Sequence, residues 1–298
     1  MDRYELLRRI TTFPLAARGL AEDLLSGDFR SVFKGQGIEF DEVRHYELGD
    51  DVRSIDWNVS ARFGTPYVKM YREERELTVC LVLDESASMF AADGASSAGM
   101  RRRDQAILAA ALVAFSAERA GQRIGAVCFD REITRVFKPR KGRSHVMSII
   151  SGLLGANDGG KGSDLGLALE GTGRLLKRRS LVVILSDFLC FNWEQELGHL
   201  CAKHDVIAIG ITDPLDTEIP NLGLLTMGDP ETGVVLHAPT GYSSFRSAWA
   251  EWHEDRTKLW KALCRRCGAS CVELSTADDA PTALTRFFGG RRTGGSLS

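Results

Sequence analysis

Residues 77–90 read LTVCLVLDESASMF. The run LTVCLVL, residues 77–83, is almost unbroken apolar sequence, which suits a strand covered on both faces at the centre of a parallel sheet. Where it stops, Asp84, Ser86 and Ser88 follow at alternate positions. Alternate residues of an extended segment face the same way, so these three oxygens are able to converge beyond the carboxyl end of the strand. In a doubly wound α/β sheet, ligands collect at that end, at the topological switch point.

Working outward, short β-branched runs alternate with amphipathic helical stretches, the pattern of a mainly parallel sheet covered on both faces. Asp104 is predicted to cap a helix that carries Ile107, Leu108, Ala111, Leu112 and Phe115 on one face and closes at Gly121. RIGAVCFD (123–130) and ITRVFKP (133–139) are separated by two residues, too few for a parallel crossover, and are expected to form an antiparallel hairpin. Helices are predicted at 145–154 and 165–179, the second ending in cations that suit its negative dipole end. Strands at 180–188 and 205–214 flank a helix at 192–204. Beyond them come a hairpin in LLTMGDPETGVVLH (224–237), a long helix at 243–267, a strand at 269–275 and a short helix. Trp249, Trp252 and Trp260 read as a packing stripe on the long helix.

The first 76 residues differ: a helical segment, then a charged stretch in which EFDEVRHYE (39–47) and PYVKMYREE (66–74) pair as strands. This organises the chain as an N-terminal helix-plus-strand extension (1–76), an α/β domain (77–290) and a disordered tail (291–298). The charged extension reads equally as a second docking surface or as a solvated layer.

A chain of 298 residues with 44% hydrophobic and 26% charged residues and a net charge of −2 has the balance of an ordinary soluble globular protein. Nothing in that balance calls for nucleic acid, and Arg101-Arg102-Arg103 and Lys177-Arg178-Arg179 read as solvated helix ends. The longest apolar runs, 181–185 and 206–211, fall far short of the ~20 residues of a membrane span. MDRYELLRR carries no secretory signal pattern, so a cytoplasmic location is expected. Seven cysteines suit reduced, buried thiols, and Cys264, Cys267 and Cys271 lack the fourth partner of a zinc or iron-sulfur site.

Two more segments extend the oxygen set. KGSDLG (161–166) supplies Ser163 and ILSD (184–187) supplies Asp187 at the end of a neighbouring central strand. Asp84, Ser86, Ser88, Ser163 and Asp187 together form a donor set for a hard cation. Mg²⁺ takes near-octahedral oxygen coordination and keeps several waters, leaving one position for an acidic group from a partner. Enzyme readings find less: DES lacks the second aspartate of a phosphatase D-x-D, G-x-S-x-G is absent, GANDGGKG (155–162) lacks the P-loop Ser/Thr, and Thr257 stands where a metalloprotease needs its second histidine. A Mg²⁺-dependent hydrolase acting on a phosphate ester is the alternative function, with no catalytic residues assigned.

At these residues the chain resembles the von Willebrand factor type A fold, whose metal-ion-dependent adhesion site uses D-x-S-x-S, a Thr or Ser in a second loop and an Asp in a third. EFDEVRHYELGDDVRSIDWNVSAR, YREERELTVCLVLDESASM and TDPLDTEIP are similar, more closely, to signatures of the bacterial domain of unknown function 58 family, over about residues 20–275. That resemblance implies hydroxyl ligands from Ser86, Ser88 and Ser163, and Asp84 and Asp187 acting partly through bound water, with Mg²⁺, Mn²⁺ or Ca²⁺ as the ion. Ser163 stands where many type A domains have Thr. The resemblance also implies a non-enzymatic interaction module whose partner is a MoxR-type AAA+ ATPase, the pair acting in chaperone-like assembly or maturation of a client protein.

Overall fold

The computed structural model describes residues 5–6, 8–10, 38–47, 49–73, 77–90, 100–155, 160, 162–229 and 231–290; the tail expected at 291–298 lies outside them. The chain divides into Ser31–Glu76 and a larger unit made of Leu77–Ser298 with Met1–Arg30.

In the smaller unit, strands β1 (Ile38–His45) and β2 (Tyr67–Glu73) pair antiparallel, with a bulge between Phe40 and Glu42. Helix α1 (Trp57–Phe63) lies between them in the chain and starts at Asp56, whose carboxylate accepts the amides of Asn58 and Val59. These two bonds satisfy N–H groups that the first helical turn otherwise leaves without partners.

The larger unit begins with β3 (Thr78–Asp84), then α2 (Ala87–Phe90), α3 (Arg102–Arg119), β4 (Arg123–Phe129), β5 (Ile133–Arg140), α4 (Arg143–Leu154) and α5 (Leu165–Leu175). It continues through β6 (Leu181–Ser186), α6 (Glu194–Cys201), β7 (Asp205–Thr212), β8 (Leu224–Gly228), β9 (Val235–Pro239), α7 (Ser243–Cys267), β10 (Ser270–Ser275) and α8 (Ala280–Gly290). Six strands form one sheet in the order β10-β7-β6-β3-β4-β5, parallel except for β5, which turns back antiparallel on β4. This is the doubly wound, mainly parallel α/β sheet that the apolar runs predicted, with the strand order of a Rossmann-like fold. After β3 the chain builds β4 and β5 on one side, then crosses to build β6, β7 and β10 on the other. The switch point therefore falls at the carboxyl ends of β3 and β6.

β3 is buried from Val79 to Asp84 and β6 throughout. One face of the sheet packs Cys80, Val82, Val182 and Ile184 against Leu165 and Leu169 of α5, Leu197 of α6 and Trp260 of α7. On the other face lies α3, flanked by α4 and α8. Because α3 is sandwiched between sheet and helices, Gln105–Ala117 is buried all round rather than along the single stripe expected. It also starts at Arg102, so Asp104 sits within its first turn and does not cap it; Gly121 follows its end in the left-handed region (φ +69°).

Two other expectations need correction. Helix α5 stops at Leu175, because Leu176 turns extended to enter the core; Lys177, Arg178 and Arg179 lie beyond it, and Arg179 pairs instead with Asp205 at 2.8 Å. The tryptophans of α7 do not form one packed stripe. Trp260 is buried, Trp249 donates its Nε1–H to the Leu215 carbonyl at 3.0 Å, and Trp252 is 51% exposed with the Arg256 guanidinium 4.9 Å from its ring centre. The predicted hairpin is present as β8 and β9, paired antiparallel as a separate ribbon. No helix among the described residues is long and apolar enough to cross a membrane.

Candidate metal centre

Asp84, the last residue of β3, is only 3% exposed. Its Oδ1 accepts the Ser86 amide at 2.9 Å, while its Oδ2 accepts the hydroxyls of Ser186 at 2.6 Å and Ser163 at 3.2 Å. The Ser86 and Ser88 hydroxyls lie 3.1 Å apart, and either is able to donate. Glu85, between Asp84 and Ser86, points elsewhere, pairing with Arg135 and accepting the Thr134 hydroxyl at 3.0 Å, as alternation along an extended segment requires. A bridge between Ser86 and Gly160, with the Ala87 amide donating to the Gly160 carbonyl at 3.1 Å, draws the second loop onto the first.

Asp187 follows β6 in the third loop. Its Oδ1 accepts the Leu189 amide at 3.0 Å, and its Oδ2 is buried with no hydrogen-bond partner among the described residues. Phe188, next in the chain, sits at φ +52°, a region that bulky residues rarely occupy. It is held there by its amide's 2.9 Å bond to Ser186 Oγ and by its ring, packed 5.6 Å from Trp193 and 5.0 Å from Trp260. Ser186 thus serves both neighbours at once, fixing Asp84 through its proton and the Asp187–Phe188 turn through its lone pair.

Burial, reinforced by the negative charge of Asp187, pushes the Asp84 carboxyl up to about 7; the bonds from Ser186 and Ser86 pull part of the way back. Two carboxylates so placed, one with a buried oxygen lacking a partner among the described residues, are tolerated only with a proton or a cation between them. The donors are hard oxygens. Cys190 nearby has its thiol pushed up to about 12 by burial and the two aspartates, so it does not offer a thiolate. The residues present therefore fit a hard divalent ion. Among the described residues no group of three His, Cys, Asp or Glu side chains is arranged to hold a metal, so such an ion relies on the hydroxyls.

The structure thus gathers Asp84, Ser86, Ser88 and Ser163 through direct hydrogen bonds and sets Asp187 within electrostatic reach of Asp84. Sequence reasoning missed two neighbours. Ser186 precedes Asp187 in ILSD and looked like the end of a strand. Glu231, at the tip of the β8–β9 hairpin, brings its carboxylate against the same loops: Oε1 accepts the Ser88 amide at 2.7 Å and Oε2 the Gly162 amide at 2.5 Å. An acidic turn in DPETG is an ordinary turn signal, and nothing local says where it docks.

The family described as "Protein of unknown function DUF58" matches residues 42–258. A Mycobacterium tuberculosis protein named "Uncharacterized protein Rv1480" is 34% identical over 301 residues, covering 99% of this chain and 92% of its own. Among solved structures, the chain is similar to the conserved hypothetical protein BatB from Bacteroides thetaiotaomicron, at 14% identity and a TM-score of 0.47, covering 73% of this chain and 100% of that one. An aerotolerance-related membrane protein from Bacteroides fragilis matches at 14% identity and a TM-score of 0.49, covering 73% of this chain and 99% of that one. By the extent of the family match and of the mycobacterial relative, this chain belongs to the DUF58 family.

Proposed function

We propose that this member of the DUF58 family is a non-catalytic protein-interaction module that docks an acidic side chain of a partner through a divalent ion held by Asp84, Ser86, Ser88, Ser163 and Asp187. The observation that carries the reading is the buried Oδ2 of Asp187, without a hydrogen-bond partner among the described residues, beside the Asp84 carboxylate and three serine hydroxyls. Mg²⁺ there, or Mn²⁺ or Ca²⁺ in its place, would supply an exchangeable coordination position attractive to a carboxylate. The chain's part is to hold the oxygens: β3 and β6 fix the aspartates, and Ser186 locks Asp84 in orientation. Against catalysis, no histidine or lysine among the described residues hydrogen-bonds to Ser86, Ser88 or Ser163, so none of these hydroxyls has a base of the usual kind to activate it.

Similarity to the family's signatures supports a cytoplasmic MoxR-type AAA+ ATPase as the partner, working with this chain on the assembly or maturation of client proteins. Titrating Mg²⁺ into chelator-stripped protein by calorimetry, followed by capture of the ATPase with and without EDTA, tests the reading. Saturable Mg²⁺ binding and EDTA-sensitive capture, both lost in Asp84→Ala, are expected. Capture indifferent to EDTA overturns it, as does hydrolysis of p-nitrophenyl phosphate by the wild type but not by Asp84→Ala, which would make the centre a hydrolase.

A further inference from the structure

We propose that the carboxylate position beside this centre is filled from within, by Glu231, and that an acidic partner binds only by displacing it. The inference rests on the function proposed above and adds to it the element that regulates access. Glu231 lies 143 residues from Ser88 and 69 from Gly162, yet its two oxygens accept one backbone N–H from each. Ser88 and the neighbour of Gly162, Ser163, are the same residues whose hydroxyls belong to the centre. A glutamate at a hairpin tip would turn to water unless held; two charge-assisted N–H bonds from separate loops hold this one. Those amides form a receptor for one carboxylate, and the chain supplies its own.

The tip is built to present that side chain. Asp229 accepts the Glu231 amide at 2.9 Å and the Thr232 hydroxyl at 2.5 Å, its own amide donates to the Val234 carbonyl at 2.8 Å, and Gly233 takes the left-handed conformation that closes the turn. The hairpin behind the tip is lightly anchored. Ala238 is the one buried residue in β8 and β9, while Leu224, Val235 and Leu236 are exposed. A rigid tip on a shallowly seated hairpin leaves the centre as a unit, at little cost in buried surface.

An internal group that occupies the position about nine-tenths of the time lowers apparent affinity for an external carboxylate about tenfold. The test uses the full chain with Mg²⁺ and a fluorescent peptide carrying one glutamate among glycines and serines, read by anisotropy, with a glutamine peptide as control. Glu231→Ala and Glu231→Asp, the latter still charged but too short to reach both amides, should each bind the glutamate peptide about tenfold more tightly than the wild type. Neither should bind the glutamine peptide, and hydrogen exchange at the Ser88 and Gly162 amides should quicken in both variants. If the variants bind the glutamate peptide no better than the wild type while Mg²⁺ titrates normally, Glu231 is only a clip between loops and the inference falls, leaving the proposed function intact. If Mg²⁺ itself fails to bind to wild type and variants alike, both fall together.

Discussion

Removing the divalent ion should make stability fall as pH rises, and Asp84 should be the cause. In the unfolded chain its carboxyl ionises at the ordinary 3.8; in the folded chain burial and Asp187 push it up to about 7. Between those values the native state holds a proton that the unfolded state has released, so its stabilising contribution is complete below 3.8 and is lost as pH climbs to about 7. The loss runs at about 1.4 kcal/mol per pH unit and totals on the order of 4 kcal/mol, little reduced by screening at so buried a group. For a domain of this size that corresponds to roughly 10 °C in Tm. His253 acts with the opposite sign: burial, aided by Arg102 and Arg256, lowers it to about 4, so the unfolded state takes up the proton first as pH falls. The diagnostic is therefore the difference between wild type and Asp84→Asn, measured by thermal unfolding in EDTA from about pH 5 to pH 8. The wild type should lose Tm relative to the variant as pH rises, and saturating Mg²⁺ should abolish the difference in slope by stabilising the ionised carboxylate. Parallel wild-type and Asp84→Asn profiles in EDTA would refute the reasoning.

Ser186→Ala strands the buried Phe188 amide and deprives Asp84 of its shortest hydrogen bond, which should cost about 1–3 kcal/mol in urea unfolding. The same loss raises the Asp84 carboxyl further, so calorimetry at neutral pH should show weaker Mg²⁺ binding; unchanged binding would remove Ser186 from the centre. Gly125→Ala places a methyl 2.8 Å from the Phe137 carbonyl oxygen and 3.0 Å from the Pro139 ring. It should destabilise by about 1–3 kcal/mol through the β4–β5 pair, with Mg²⁺ affinity preserved because Asp84 aligns with Phe129 at the far end of β4. Arg102→Met leaves the half-buried Asp216 carboxylate without the guanidinium that offsets its desolvation, an expected loss of about 1–3 kcal/mol in urea unfolding that Asp216→Leu in the same chain should restore only in part, because the Asp213 amide then loses its partner.

Continuous apolar runs announced β3, β6 and β7 because central parallel strands bury both faces. The two-residue gap after Asp130 announced the β4–β5 hairpin because no crossover fits it. Ser243–Cys267 was legible as a helix to its last residue, since Gly268 ends the run where the helical pattern stops. Helix ends set by tertiary contact were not: Leu176 leaves α5 for the core and Arg179 leaves for Asp205, preferences that local propensity does not encode. The same division holds at the centre. Asp84, Ser86 and Ser88 share one short segment, although Ser88 reaches the centre from the first turn of α2 and not by strand alternation, whereas Glu231 arrives from a hairpin whose own sequence specifies only its turn.

The direct pairing of β3 with β6, Leu83 beside Leu185, has a temporal side. A ribosome works from the amino terminus, so all five oxygen-bearing residues of the centre leave the exit tunnel before Glu231 does. For the interval in which the 44 residues that follow Asp187, up to Glu231, are still emerging, the nascent polypeptide would own the proposed receptor without its stopper.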